Sequence, residues 1–132
     1  MFLLYLKKII KSLKLDKNIV FVGAINNVPS FLNDMDILVV PSRSEGLGLT
    51  VLEGMAARVP VIGTNINSIK SLIKNDEYGD LFTYDDYHDL SQKIIYRVKH
   101  KDESKIDKAY DFVRRRYDIE TANQRLRRVY LL

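Results

Sequence analysis

The sequence predicts an α/β fold, a Rossmann-like parallel sheet with helices on both faces and further helices at the C-terminal end. Short apolar runs alternate with segments of helical periodicity, and these runs are apolar throughout rather than at every second residue. Strands of that kind belong to parallel sheets with both faces covered. No glycine- or serine-rich linker interrupts the 132 residues, a length typical of one domain. We therefore assign 1–100 to the sheet-containing unit and 101–132 to a helical extension packing on it.

The first elements alternate between helix and strand. Apolar residues recur every three or four positions over 2–13, with lysines between them, which predicts an amphipathic helix. The run Ile19–Val22, closed by Gly23, predicts a buried strand, and 28–35 predicts a short helix with Pro29 in its first turn.

The remaining elements continue this alternation. Two further apolar runs, 37–40 and 59–62, end at Pro41 and Gly63 and predict strands. A helical stripe lies between them, at Leu49, Leu52, Ala56 and Val59. Then follow a predicted helix at 66–73, a strand at 81–82, a helix at 87–100, and helical stripes beyond 101, the last with Leu126, Val129 and Tyr130.

Composition excludes several classes of protein. The chain has no cysteine and only two histidines, so disulfides, thiolate metal sites and histidine-rich metal clusters are excluded. The apolar run 2–6 is far shorter than the roughly 20 residues of a membrane span. Residues 97–132 carry eleven basic and six acidic side chains. This excess is compatible with a solvated helical tail or an anionic membrane surface. Its arginines form no continuous stripe with aromatic residues, so we expect no specific nucleic-acid partner.

The segment after the strand at 37–40 is the main candidate site, because ligands of open parallel sheets bind outside the carboxyl ends of the strands. Here Gly46 and Gly48 come directly before a predicted helix. Glycines let a ligand approach the backbone, and the free N–H groups of a first helical turn favour phosphate. The alternative is a tight strand-to-helix turn with no ligand.

Two glutamates in this segment also point to a ligand site. Glu45 stands where the strand gives way to the helix, and Glu53 lies at the border of the apolar stripe. Sugar hydroxyls can donate the hydrogen bonds that such carboxylates need. The alternatives are helix capping for Glu45 and a salt bridge for Glu53.

The whole pattern is more specific than its parts. Seven residues separate Glu45 from Glu53, with Gly46-Leu47-Gly48 among them and Pro41-Ser42 and Pro60-Val61 on either side. Over about 13–99 the sequence resembles the nucleotide-sugar lobe of GT-B-fold glycosyltransferases of the group 1 type. The resemblance extends to Val20-Phe21-Val22-Gly23, Val28-Pro29, Asp36 and Tyr78-Gly79-Asp80-Leu81.

The resemblance implies glycosyl transfer from a nucleoside diphosphate sugar, with retention and without a metal ion or cofactor. It implies that Glu45 is catalytic and contacts the transferred sugar near the reacting carbon, and that Glu53 binds the ribose. It implies that sugar and diphosphate are held by the backbone of Gly46, Leu47, Gly48, Leu49 and Thr50, and that the base is lined by Gly23, Ala24 and Ile25. The helix N-terminus would stabilise the charge on the departing diphosphate.

The sequence departs from the family pattern at several positions. Arg58 stands where the family favours glycine, and Leu47 replaces an aromatic residue. After Thr64 the family shows two glycines and then a Pro-Glu pair, which are absent here. The family's acceptor-binding N-terminal lobe, two opening strands and a basic pair that clamps the diphosphate have no counterpart in these 132 residues.

These absences lead to expectations about partners. We expect the isolated chain to be inactive alone and either to repack its strands or to associate through exposed strand edges, as a homodimer or with a partner that supplies the N-terminal lobe. The acceptor would be a glycan or a lipid-linked glycan. We expect a cytoplasmic protein whose basic tail can rest on the membrane surface. The alternative is a non-catalytic remnant that only binds the nucleotide sugar.

Overall fold

A computed structural model describes residues 2–118 of the chain. Helices and strands alternate through this range and end in two consecutive helices. In chain order the elements are α1 (Phe2–Ser12), α2 (Val28–Asn33), β1 (Leu38–Val40), α3 (Leu49–Ala56), β2 (Val61–Thr64), α4 (Asn67–Ile73), β3 (Asp80–Phe82), α5 (Tyr87–Lys99) and α6 (Glu103–Tyr117).

The three strands form a parallel sheet in the order β1-β2-β3. Leu38 pairs with Val61, and Gly63 lies between Val40 and Leu81. Every residue of β2 and β3 is buried, as expected for strands covered on both faces. The predicted α/β class and parallel sheet are confirmed.

The main core lies where α3, α4 and α6 meet the sheet. Helix α3 packs on β1 and β2, α4 packs on β2 and β3, and α6 packs on α3. Val51, Met55, Ile69 and Ile73 are almost completely buried there. From α6 the buried residues are Ile106 and Ala109, so part of the 101–132 segment contributes to this core. The last predicted stripe, with Leu126, Val129 and Tyr130, lies outside the described residues.

Gly63 does not end its strand as predicted, because β2 continues through it to Thr64. A Cβ atom at Gly63 would come within 2.5 Å of Ile69 Cγ2 in α4. Glycine is therefore needed here for the close approach of a helix to the sheet, rather than for a turn.

The predicted strand at 19–22 is also wrong. These four residues form no strand, and their exposed fractions range from 40% to 81%. A strand needs neighbours for its N–H and C=O groups, and within residues 2–118 none lies beside this segment. Helix α1 is present as predicted but has no buried residue. Among the described helices, none has the length and apolar character needed to cross a membrane.

A buried ion cluster joins β3 to α5 and α6. Asp80 accepts two hydrogen bonds from Arg97, at 2.7 and 2.6 Å, and one from Lys105 Nζ at 3.0 Å. Burial alone would raise the pKa of Asp80, but the hydrogen bonds and charges of Arg97 and Lys105 more than offset it and lower that pKa below 3.8. The hydrogen bonds to Asp80 likewise raise the pKa of Arg97. This cluster fixes α5 and α6 to the amino end of β3.

Candidate functional site

The candidate site is the loop between β1 and α3, at the carboxyl edge of the sheet. Its last residue, Gly48, caps α3 in the left-handed conformation (φ 71°), which costs glycine little. The Gly48 carbonyl accepts hydrogen bonds from Val51 and Leu52. Within residues 2–118, the backbone N–H groups of 46–50 donate no hydrogen bond. Five free donors therefore lie together at the positive end of a helix, as the sequence predicted.

Glu45 lies in the same loop and is half-buried. The Ser42 hydroxyl donates a hydrogen bond of 2.6 Å to Glu45 Oε1. The Ser42 carbonyl in turn accepts one of 2.6 Å from Thr64 Oγ1, at the end of β2. Glu45 is thus oriented by groups from two neighbouring strand ends, and its other oxygen is left without a hydrogen bond within the described residues.

Ser42 and Thr64 are positioning residues to which the sequence analysis gave no role. A polar residue at the end of each of two adjacent parallel strands was the available signal, since those ends meet at one edge of the sheet.

Glu53 lies in the second turn of α3 and is exposed. Among the described residues it has neither an ion pair nor a hydrogen-bonded side chain, so the salt bridge considered for it is not formed. Leu47 and Leu49 are also exposed, at 58% and 61%. The surface around the free N–H groups is therefore open to a ligand.

The segment predicted to line the base lies before α2. Gly23 and Ala24 are exposed and Ile25 is half-buried. Within residues 2–118, no backbone hydrogen bond joins this segment to 41–50. The structure thus groups Glu45 with the free N–H groups, whereas the role of 23–25 stays a prediction.

A cavity of about 300 Å³ lies at the same edge of the sheet. Its walls come from the carboxyl ends of the three strands, from the turn after β3 and from the start of α5, and include Pro41, Thr64, Phe82, Tyr84, Asp85 and Tyr87. We call it the carboxyl-edge cavity. The sequence analysis did not assign the tyrosines and Asp85, because they belong to no motif.

A second cavity, of about 460 Å³, lies at the opposite edge and includes Arg58, Arg97 and Lys101 among its walls. We call it the amino-edge cavity. Each of these cations already has an acidic partner, which is Asp107, Asp80 and Glu103 respectively. This charge pairing makes it a poorer anion site than the free N–H groups of the loop.

Arg58, which stands where the family favours glycine, has a φ of 59°. This left-handed conformation is unfavourable for a residue with a Cβ atom. The Arg58 guanidinium pairs with Asp107 and lies 4.1 Å from the centre of the Tyr110 ring. Both partners belong to α6, so the departure from the family pattern links the turn between α3 and β2 to that helix.

Within the described part of the chain, no group of three or more acidic or histidine side chains is arranged to hold a metal ion. The expectation that neither a metal nor a cofactor takes part stays a prediction.

Comparisons with known proteins agree with this geometry. The family model described as glycosyl transferases group 1 matches residues 3–111. A lipopolysaccharide core biosynthesis mannosyltransferase, LpsB of Rhizobium meliloti, is 37% identical over 83 residues, which are 61% of this chain and 24% of LpsB. The chain therefore spans about a quarter of that relative.

Two solved structures share the fold. The C-terminal domain of the group 1 glycosyl transferase LpcC from Francisella tularensis has a TM-score of 0.78 and 31% identity, over 89% of this chain and 63% of that one. The Anabaena HepE protein in complex with UDP has a TM-score of 0.89 and 21% identity, over 97% of this chain and 36% of that one. With the family model covering most of its length, the chain belongs to the group 1 glycosyltransferases.

Proposed function

We propose that the chain is the nucleotide-sugar-binding part of a glycosyltransferase and that the loop between β1 and α3 holds the donor. The observation that carries this proposal is the set of free N–H groups at 46–50 beside Glu45. A diphosphate is the ligand that best satisfies several backbone donors at the positive end of a helix.

The same donors would assist the reaction. As the glycosidic bond to the donor phosphate breaks, negative charge builds on the departing diphosphate, and fixed N–H dipoles stabilise it without reorganising. This supplies the electrostatic stabilisation for which other sites use a cation. We propose that no metal ion is needed at this step.

Glu45 would act on the sugar side of the site. Its hydrogen bond from Ser42 holds one oxygen, which leaves the other free to face the positive charge that develops at the reacting carbon. Glu53, exposed one turn further along α3, would accept hydrogen bonds from the ribose hydroxyls. We propose retention of configuration, as the family resemblance implies.

Substrate classes follow from the relatives. LpsB is named as a mannosyltransferase of lipopolysaccharide core biosynthesis, and HepE was solved with UDP. We propose a nucleoside diphosphate hexose as donor and a glycan or lipid-linked glycan as acceptor. The basic residues of α6, Arg114 to Arg116, are exposed and could contact an anionic membrane surface.

Activity would require more polypeptide than these residues. The outer edge of β1 has no strand partner among the described residues, and Ile19–Val22 is exposed. We propose that an N-terminal lobe, or a second copy of the chain, covers this surface. Adding a separately produced N-terminal lobe should restore sugar transfer. A non-catalytic binding remnant would bind the nucleotide and still transfer nothing.

Thermal unfolding with UDP, GDP, ADP and CMP tests the donor site. A ligand at a hundred times its dissociation constant stabilises a fold by about 2.7 kcal/mol, which visibly raises the melting temperature. One nucleotide should give this shift with the wild type and with Glu77→Ala, whose exposed carboxylate lies away from the loop. Glu53→Ala should remove it. An unchanged melting temperature with every nucleotide would overturn the proposal.

A further inference from the structure

The carboxyl-edge cavity combines two features that suit a sugar ring. Tyr84 and Tyr87 line it and are 45% and 86% exposed, and Phe82 is buried at its wall. Aromatic faces carry partial negative charge and attract the polarised C–H groups of a pyranose. Rings left this exposed contribute little to the core, which makes binding the better explanation of their placement.

Asp85 adds a free carboxylate to the aromatic side chains of the carboxyl-edge cavity. Asp85 lines the cavity, is exposed and has neither a hydrogen bond nor an ion pair within the described residues. Asp86, by contrast, caps α5 by accepting hydrogen bonds from His88 and Asp89. Asp85 is therefore the acceptor available for sugar hydroxyls, since an ionised carboxylate only accepts.

The loop that carries these groups is held firmly. The Asp86 N–H donates to the Thr83 carbonyl at 3.1 Å, and the Thr83 N–H donates to Asp89 Oδ2 at 2.8 Å. Asp85 sits inside this turn with a φ of 63°, a conformation that aspartate tolerates better than most residues. Tyr84 and Asp85 are thus presented from a closed turn, and Tyr87 from the first residue of α5.

The cavity is also joined to the proposed donor site. Thr64, one of its wall residues, donates to the Ser42 carbonyl, and the Ser42 hydroxyl donates to Glu45. Two hydrogen bonds of 2.6 Å therefore separate the cavity wall from the carboxylate proposed to face the reacting carbon. A ligand in the cavity lies beside the loop that holds the donor.

We propose that the carboxyl-edge cavity is a pyranose-binding subsite formed by Tyr84, Tyr87 and Asp85. The assignment rests on the proposed glycosyltransferase function, because the sugar can come from the donor or from the acceptor glycan. A volume of about 300 Å³ lies at the lower end of ligand pockets, which suits a single ring.

Saturation-transfer NMR on the full chain tests this subsite with methyl α-D-glucopyranoside, methyl α-D-mannopyranoside and UDP-glucose. We expect signal transfer to the ring protons of a methyl glycoside. Tyr87→Ala and Tyr84→Ala should each weaken binding by about three- to tenfold. Asp85→Asn, which keeps the shape and tolerates the same backbone conformation, should weaken it less. Tyr5→Ala, at an exposed tyrosine of α1, is the matched control and should change nothing.

The arms of the experiment separate the possible results. If signal transfer to the hexose of UDP-glucose falls in the tyrosine variants and neither methyl glycoside receives transfer, the subsite binds the donor sugar. Transfer to a methyl glycoside that falls in the tyrosine variants assigns it to a free glycan ring, and if UDP-glucose does not bind, the subsite stands while the proposed function fails. A methyl glycoside that binds equally to the wild type and to these variants overturns the subsite. If no methyl glycoside binds and UDP-glucose binds equally to the wild type and to Tyr84→Ala, Tyr87→Ala and Asp85→Asn, the subsite proposal is overturned. The proposed function then stands. No transfer to any probe overturns both.

Discussion

The two edges of the sheet use charged residues in opposite ways. At the amino edge, Arg97 and Lys105 both donate hydrogen bonds to Asp80, and Asp80 and Arg97 are nearly buried. At the carboxyl edge, Glu53 and Asp85 are exposed and without partners among the described residues, and the N–H groups of 46–50 are free. Satisfied charges hold the helices in place, whereas unsatisfied ones are available to a ligand. We infer that stability resides at one edge and function at the other.

Removing the carboxylate at the amino edge should give the largest change in stability. Asp80→Asn leaves Arg97 and Lys105 without their anion in a buried position, so the free energy of unfolding should fall by about 3–5 kcal/mol. Urea denaturation of the two proteins measures this directly. A loss below about 1 kcal/mol would show that the cluster contributes little to the fold.

Low pH should reduce the stability that the Asp80 cluster at the amino edge contributes. The pKa of Asp80 is lowered in the folded chain, so its stabilisation is present above the unfolded-state value of 3.8 and is lost as the pH falls through the lower folded-state value. The urea midpoint of the wild type should therefore drop below about pH 4 more steeply than that of Asp80→Asn. Parallel pH profiles for the two proteins would contradict this role.

Substitution of Arg58, also at the amino edge, should change the free energy of unfolding by a smaller amount. Arg58→Ala and Arg58→Gly both lose the contacts with Asp107 and Tyr110, but only glycine relieves the left-handed backbone. The glycine variant should therefore be more stable than the alanine variant by about 1 kcal/mol. Thermal or urea unfolding of the pair measures this difference. Equal stabilities would mean that the positive φ stores no strain.

At the carboxyl edge, substitution should leave stability unchanged. Glu53→Gln removes an exposed charge with no partner among the described residues, so the free energy of unfolding should stay within about 0.5 kcal/mol of the wild-type value. Calorimetric titration should at the same time show weaker nucleotide binding. A marked loss of stability would place Glu53 with the structural charges instead.

Sequence patterns predicted local elements better than long-range partners. The strands β1, β2 and β3 and the positions of the helices between them were predicted from apolar periodicity. The predicted stripe of α3 was wrong in part, because Leu49 and Ala56 are exposed and the buried face is formed by Val51, Leu52 and Met55. The run 19–22 has the same apolar character but forms no strand, since pairing depends on a neighbour that the local sequence does not reveal. The ion cluster was not predicted either, because Asp80 and its partners are 17 and 25 residues apart.

The site was predictable where a short segment defines it. Glu45, the glycines and the free N–H groups all lie within one strand-to-helix connection, so the local pattern suggested the glycines and N–H groups, and its resemblance to a known family added Glu45. Tyr84 and Asp85 reach the same edge after β3 and belong to no motif, and the only signal for Thr64 is a polar residue at the end of a strand. Their contribution depends on the parallel arrangement of strand ends.

Amide chemical-shift mapping of a ¹⁵N-labelled chain titrated with UDP tests most directly whether the carboxyl edge binds the donor. We predict shifts concentrated at residues 46–50 and 53, saturating with ligand and abolished in Glu53→Ala. Shifts centred on the amino-edge cavity, around Arg58, Arg97 and Lys101, or no shifts in the folded chain, would contradict the division of roles between the two edges.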